Sequence, residues 1–266
     1  SFNENGNGGI QSPYNTASGD WSTAMGLNST ASGDYSTSLG QSTTASGFAS
    51  TTMGQITTAS GSYSTAMGLQ TEASGRASTA MGIGTTASGE YSTAMGWFTR
   101  ASGLYSTAMG TETTASGWNS TAIGDRTQAI GDNATAMGRY TEAIGNYSTA
   151  MGYGTEAIGN YSTAMGWSTE ASGIFSTAMG EFTTAQDYGT TAIGLFNKTK
   201  ETPNPDSFSY QNTAFVIGNG GYDSEGNYDG HLSNAFEVLF DGTTTIAGDL
   251  NINSDARLKA NIISLG

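Results

Sequence analysis

The sequence predicts an all-β protein in which 14-residue coils stack into a solenoid, followed by a small C-terminal β domain. Glycine recurs every 14 residues from Gly26 to Gly194, and a second comb of glycines runs seven residues out of phase from Gly19 to Gly173. Alanine takes the same place in both halves of nearly every period. A strict short period is the mark of stacked repeats, whose usual product is a rod with a repetitive surface.

Each 14-residue unit consists of two similar halves. Residues 58–64 read Thr-Ala-Ser-Gly-Ser-Tyr-Ser, and residues 65–71 read Thr-Ala-Met-Gly-Leu-Gln-Thr. Four or five residues of each half suit a short strand, and Gly with the next two residues suits a turn, because Gly tolerates the positive φ of a tight reversal. Two strands and two turns make one coil, and thirteen coils spaced roughly 4.8 Å apart span about 60 Å.

The alternation of side chains along a strand predicts which residues form the core. A coil this narrow has room only for small groups, so we expect Ala inside and the residue before each Gly outside. That outer residue is mostly Ser in one half, whereas in the other half it is apolar, which predicts a stripe that drives self-association. The alternative, with Met inside and Ala outside, stays open. The predicted interface methionines are Met25, Met53, Met67, Met81, Met95, Met109, Met137, Met151, Met165 and Met179.

The Ala-x-Gly-x-x-Ser/Thr-x-Ala-hydrophobic-Gly cadence over residues 10 to 196 resembles the head repeats of YadA-like trimeric autotransporter adhesins. The resemblance implies a left-handed parallel β-roll with three chains packed around a threefold axis. It also implies an extracellular location, on a bacterial surface or a phage tail fibre. One departure is Thr-Ala-Met where the family favours Ser-Val-Ala-Ile, which predicts a softer, more polarizable interface.

Four segments follow from these patterns: residues 1–196 as the repeat head, 197–212 as a linker or loop, 213–253 as a small β cap, and 254–266 as a further segment. Two of the three prolines fall in the linker. Residues 213–217 read as a strand, and residues 235–240 and 243–246 read as a hairpin with Asp241-Gly242 at its tip.

Residues 254–262, Ser-Asp-Ala-Arg-Leu-Lys-Ala-Asn-Ile, resemble the start of the endosialidase-type intramolecular chaperone found at the end of phage and bacterial fibres. The resemblance implies Ser254 as a nucleophile and Lys259 as its base, with cleavage after Asn253. A lysine can act as a base only if burial lowers its pKa. Because the chain stops at Gly266, we expect the chaperone body to be missing and no self-cleavage in this polypeptide.

Composition argues against several functional classes. Eight Lys and Arg against 22 Asp and Glu give a formal charge of −14, which disfavours nucleic acids and anionic membranes. With no cysteine and a single histidine, His231, no zinc site or other cofactor is expected. Residues 223–229 alternate oxygen ligands but lack Gly and an acid at the places that a calcium loop requires, so we interpret them as a polar turn. No apolar run is long enough to span a bilayer.

Aromatic residues recur in both turns of the coil. A stacking ladder that stiffens the turns is one interpretation, and a multivalent surface for a cell-surface glycan or receptor is the other. We expect Trp97, Phe98, Trp118 and Trp167 to be the best binding candidates because they interrupt the ladder pattern.

The leading hypothesis is therefore a non-enzymatic homotrimeric fibre head for adhesion. An ice-binding solenoid is an alternative, although Glu residues interrupt the regular Thr rows that it requires. A polysaccharide-cutting tail spike is another, but the acids form no recurring pair of the kind that glycoside hydrolysis needs.

Overall fold

Two parallel sheets face each other across a narrow core in the computed structural model, which describes residues 10–11, 13–223 and 225–248. The first sheet contains β1 (Ile10–Gln11), β3 (Thr23–Leu27), β5 (Thr37–Gln41), β7 (Thr51–Gln55), β9 (Thr65–Leu69), β11 (Thr79–Ile83), β13 (Thr93–Trp97), β15 (Thr107–Thr111), β17 (Thr121–Asp125), β19 (Thr135–Arg139), β21 (Thr149–Tyr153), β23 (Thr163–Trp167), β25 (Thr177–Glu181) and β27 (Thr191–Leu195). The second contains β2 (Thr16–Ala17), β4 (Thr30–Ala31), β6 (Thr44–Ala45), β8 (Thr58–Ala59), β10 (Glu72–Ala73), β12 (Thr86–Ala87), β14 (Arg100–Ala101), β16 (Thr114–Ala115), β18 (Gln128–Ala129), β20 (Glu142–Ala143), β22 (Glu156–Ala157), β24 (Glu170–Ala171) and β26 (Thr184–Ala185).

Successive coils pair in register, so each position of the repeat forms a straight column along the rod. Between β13 and β15, for example, Met95 lies beside Met109 and Gly96 beside Gly110. In the second sheet Ala87 lies beside Ala101. The predicted parallel β-solenoid with a 14-residue period is thus confirmed.

The core consists of the two alanine columns, in which every alanine from Ala24 to Ala192 is fully buried. No methionine is buried, so the alternative with Met inside the coil is wrong. In two coils of the first sheet Ser38 and Thr52 replace Ala. Their hydroxyls join a buried chain of hydrogen bonds with Thr43, and this polar chain lies between Ala17, Ala24 and Ala31 and the rest of the core.

The corners of each coil bury hydroxyl groups, which the sequence pattern did not predict. The residue before each long strand is buried, and it is Ser in all coils except those with Ala134 and Thr190. The Ser64 hydroxyl, for example, donates to the Gly61 carbonyl at 2.6 Å. A second column, from Thr43 to Thr183, is buried at the corner after each long strand. Small β-branched or hydroxylated residues fill these corners because the coil has no room for a longer side chain.

The expectation of two similar strands per coil is wrong. The strands β3 to β27 of the first sheet have five residues each, whereas those of the second have two. The short strand ends early because one carbonyl serves two donors: the Ala115 oxygen accepts from Ser102 N at 2.9 Å and from Gly103 N at 3.3 Å. The chain bends there and enters the turn.

The expected role of glycine in the turns is also wrong. Gly110 lies within β15 at φ 122°, and a Cβ on it would stand 2.0 Å from the Gly124 carbonyl oxygen of the next coil. The positive φ of the turn falls instead on a variable residue such as Tyr105, at 58°, whose N–H donates to the Glu90 carbonyl of the preceding coil at 2.9 Å. Close stacking of backbone on backbone, rather than the turn, requires the glycine columns.

The first sheet continues beyond the repeats into β28 (Thr213–Asn219), which pairs in parallel with β27. β29 (Asn234–Leu239) pairs antiparallel with β28, and β30 (Thr244–Ile246) pairs antiparallel with β29, which confirms the predicted strand and hairpin. Residues 197–212 contain no strand and lie against the last coil, where the Asn204 carbonyl accepts from Tyr188 N at 2.9 Å.

Candidate functional site: the surfaces of the repeat array

The methionine face is the outer surface of the first sheet, formed by the column from Met25 to Ile193. Its members point away from the alanine core, since they alternate with buried Ala along each strand. Met25 is 49% exposed, and Met53 and Met137 are also exposed, whereas the other seven methionines are half-buried. The result is a continuous apolar stripe along the whole rod.

The outer surface of the second sheet is mostly polar, with Ser as its recurrent residue. It departs from that pattern in three consecutive coils, where Ile130, Ile144 and Ile158 replace Ser. Beside them run three carboxylates in register, Glu142, Glu156 and Glu170. Desolvation and the charges of the two neighbouring glutamates raise the pKa of Glu156.

In the turn that follows each short strand, here called the first turn, aromatic rings stack from coil to coil. Tyr147, Tyr161 and Phe175 form one stack, with ring centroids 5.0 and 4.9 Å apart. Where the positive-φ residue is Ala49, the neighbouring Phe48 supplies the ring and contacts Tyr35 and Tyr63. Stacking of this kind offsets part of the strain of an aromatic residue at positive φ.

Trp118 lies in the first turn but stands apart from these stacks. Its indole is 48% exposed and makes no ring contact within the described part of the chain. Its backbone N–H donates to the Asp132 carboxylate at 2.9 Å, which fixes the turn while the ring points outward. Trp118 thus offers an open aromatic face.

The turn that follows each long strand, here called the second turn, carries the other predicted binding residues. Trp97 is the last residue of β13, and its ring meets Phe98 edge to face at 4.8 Å. Both rings are exposed, and Phe98 packs against Gly84 of the preceding coil, where a Cβ would clash with it at 2.7 Å. The two rings together form an exposed aromatic surface on the rod, here called the Trp97–Phe98 ledge.

Trp167 does not interrupt the aromatic pattern, contrary to expectation. It lies within a chain of ring contacts that runs along the second turn, 6.4 Å from Tyr153 and 5.6 Å from Phe182. The chain continues from Phe182 to Phe196 at 4.6 Å and ends on Tyr222 and Tyr228. Trp167 nevertheless remains 49% exposed.

Two arginines lie on the same column of rings. Arg126 Nε is 2.7 Å from Glu112 Oε2, and the guanidinium stands 5.4 Å from the centre of the Tyr140 ring. Arg139 Nε is 3.0 Å from Asp125 Oδ2, and its guanidinium lies 5.0 Å from the same ring. Acid, guanidinium and ring therefore form a repeated cluster in the second turn.

A groove of about 340 Å³ opens at the C-terminal end of the column of rings in the second turn. Its walls are Trp167, Phe182, Tyr222 and Tyr228, and the Glu181 carboxylate lies among them. The Glu181 carboxylate raises the pKa of the Tyr222 phenol, whose oxygen is 3.5 Å away. We call this feature the Glu181 groove. Residues 222 and 228 are far from the repeats in sequence, so the periodic pattern gave no signal for it.

The other candidate sites give no metal centre. Across the described ranges no cluster of three or more His, Cys, Asp or Glu side chains is placed to hold an ion. The Asp223 carboxylate accepts from the backbone and side chain of Asn227 and from the backbone of Glu225, and these bonds lower the pKa of Asp223. His231 Nδ1 lies 2.6 Å from Asp229. Ser254 and Lys259 lie outside the described residues.

The model of the YadA head domain repeat, two copies long, matches the chain in overlapping or adjoining stretches. They are residues 17–43, 45–71, 73–99, 101–127, 115–141, 129–155, 143–169 and 171–197. The chain belongs to the YadA head family. No curated protein matches it.

The YadA head repeat is an adhesin domain rather than an enzyme family, and heads of this type are exposed at the cell surface, in keeping with an extracellular location. The match covers the coils that build both sheets and both aromatic turns. None of the described residues forms a helix long and apolar enough to cross a membrane.

Proposed function

We propose that this chain forms a homotrimeric adhesin head whose three rods pack through their methionine faces. The observation that carries the proposal is the unbroken apolar column from Met25 to Ile193 on the outside of a rod whose own core is already complete. Soluble monomers rarely expose a contiguous apolar patch of more than a few hundred Å². Closed threefold packing buries three such columns together and leaves both aromatic turns available.

Methionine suits this interface because its unbranched side chain adapts to a neighbour and has a polarizable sulfur. Each coil contributes one such side chain, so the buried apolar area grows in proportion to the length of the rod. Ligand contacts on the turns would then be repeated threefold, and weak contacts would gain strength through avidity.

Light scattering coupled to size-exclusion chromatography tests the assembly. We expect the mass of a trimer for the intact chain and dissociation when Met95 and Met109, in the middle of the column, are both replaced by Glu. Replacement of Ser88 and Ser102 by Glu on the opposite sheet is the matched control and should leave the trimer intact. A clean monomer for the intact chain at micromolar concentration contradicts the proposal.

The ligand that we propose for the head is a cell-surface glycan, stacked on exposed aromatic rings. Trp118 and the Trp97–Phe98 ledge support it best, because these rings have open faces. Trp167 was predicted for the same role, but rings on both sides cover part of its surface. Glycan-array binding of the assembled protein should weaken in Trp97→Ala and Trp118→Ala. It should persist in Tyr161→Ala, because Tyr147 and Phe175 stack on both faces of the Tyr161 ring. Glycan binding that all three variants retain rules out these contacts.

The C-terminal segment supports a fibre on either a bacterium or a phage. The resemblance of residues 254–262 to an intramolecular chaperone suggests that register is fixed once at this end, which near-identical coils require because slipped pairings differ little in energy. We propose Ser254 and Lys259 as the cleavage pair when the complete chaperone follows. Mass spectrometry of a longer product should then find cleavage after Asn253, abolished by Ser254→Ala.

A further inference from the structure

We propose that the Glu181 groove binds the guanidinium group of an arginine presented by a partner protein. The argument starts from the chain itself, which twice places an arginine between an acid and a tyrosine ring in the second turn. In those clusters Arg126 pairs with Glu112 over Tyr140, and Arg139 pairs with Asp125. The repeat therefore shows which group fits between its acids and its rings.

The Glu181 groove has the acid and the rings of these clusters but lacks the cation. Glu181 is the last residue of β25, in the same column as Asp125 and Arg139. Its carboxylate makes no ion pair with any Lys, Arg or His of the described ranges. Instead, it faces the phenol of Tyr222, and the resulting increase in the pKa of Tyr222 means that the site favours added positive charge.

The walls suit a planar cation. Trp167 and Tyr228 line the groove and are 49% and 62% exposed, so part of each ring remains accessible to a ligand even beside the neighbouring rings. A cation over an aromatic face is attracted by the ring quadrupole, most strongly for Trp. A guanidinium is planar, so it stacks on such rings and still donates several hydrogen bonds to a carboxylate. An ammonium is a compact point charge without a flat face.

The overall charge of the chain reinforces the same choice of ligand. A formal charge of −14 attracts cationic partners and repels anionic ones over a Debye length or so. A neutral sugar gains nothing from that field. The groove thus differs in its ligand from the Trp118 and Trp97–Phe98 surfaces, and its function does not depend on theirs.

The test is titration of the intact protein with a short Gly/Ser peptide that contains one central arginine, followed by NMR or calorimetry. The control peptide contains citrulline, which keeps the shape of the side chain and removes its charge. We expect the arginine peptide to bind about tenfold more tightly than the citrulline peptide, as a charge-assisted bond predicts. Equal binding of the two peptides, or none by the arginine peptide up to about 10 mM, overturns the proposal.

Two variants and one control variant test whether the arginine peptide contacts Glu181 and Tyr228. Glu181→Gln should weaken binding of the arginine peptide about tenfold because it removes only the charge. Tyr228→Ala should weaken it severalfold by opening one wall, with the oligomeric state unchanged in both variants. Glu90→Gln makes the same change on an exposed turn elsewhere and should have no effect. Binding that survives Glu181→Gln, or a neutral oligosaccharide that occupies the groove in its place, contradicts the assignment.

Discussion

The interior coils and the last coil use different residues at the same positions of the repeat. In the interior, Gly103 must lack a side chain, because a Cβ on it would stand 2.0 Å from the Gly117 carbonyl oxygen of the next coil. At the end of the same column stands Asp187, which is buried and has no further coil of this kind beyond it. A position that excludes a side chain in the stack thus accepts one where the stack ends.

Asp187 replaces the contacts that a further coil would have made. Its Oδ1 accepts from Asn204 N at 2.8 Å and its Oδ2 from Thr213 N at 3.0 Å. Lys200 Nζ, at 3.1 Å, neutralises the carboxylate. The loop and β28 are thereby held against the last coil, so this end of the repeat stack is covered.

An asparagine stands at each end of the buried hydroxyl column. Interior amides donate to the backbone of the next coil, as Glu170 N does to the Thr183 carbonyl at 2.8 Å. Beyond the last coil Thr184 N donates to the side-chain oxygen of Asn197 at 2.7 Å. At the first coil Asn15 Oδ1 accepts from Ser29 N at 2.7 Å. At the C-terminal end, the side-chain oxygen of Asn197 therefore takes the place of the backbone carbonyl that a further coil would have supplied.

The largest effect expected from this comparison is that of a side chain added in the interior. Gly110→Ala would place a Cβ 2.0 Å from the backbone oxygen of Gly124 at φ 122°, where neither group can move without separating two coils. We expect the free energy of unfolding to fall by about 4 kcal/mol or more. Thermal unfolding followed by circular dichroism measures it.

Gly242→Ala provides the control, because Gly242 also has a positive φ, 88°, but no atom within 4 Å of the added Cβ. It should cost about 1 to 2 kcal/mol, the ordinary penalty of the left-handed conformation. Equal losses in the two variants would mean that φ, rather than contact between coils, determines the need for glycine.

A smaller effect is expected when the end residue is made like the interior. Asp187→Gly restores the repeat pattern, yet it leaves the amides of Asn204 and Thr213 without their acceptor and Lys200 without its partner. We expect a loss of about 2 to 4 kcal/mol together with faster hydrogen exchange at those two amides. If the glycine variant is as stable and as protected as the original chain, Asp187 is not the residue that closes the stack.

Prediction from sequence succeeded where a feature repeats and stopped where it does not. The period predicts the stack, and the small space inside a narrow coil favours buried Ala and outward Met, whereas the burial of the side chains in the structure was needed to exclude the reverse arrangement. It did not distinguish the five-residue strand from the two-residue strand, since both contain the same Thr-Ala-x-Gly cadence. The Glu181 groove needs Tyr222 and Tyr228, which reach the column only through the fold of the C-terminal region.

The smallest effect concerns charge within one column of the second sheet. Glu156 lies directly between Glu142 and Glu170, and partial desolvation together with these like charges raises its pKa. A raised pKa in the folded state means that the protonated form is favoured, so its contribution to stability is complete at low pH and is lost as the pH rises through the folded pKa. Glu156→Gln should therefore stabilise the protein at pH 7, by less than about 1 kcal/mol because the site is exposed, and the gain should vanish below about pH 4.

Glu72→Gln is the matched control, because Glu72 occupies the same column between Thr58 and Thr86. Urea unfolding at a series of pH values compares the two variants, and a gain from Glu156→Gln that does not change with pH would show that the lost charge is not its cause.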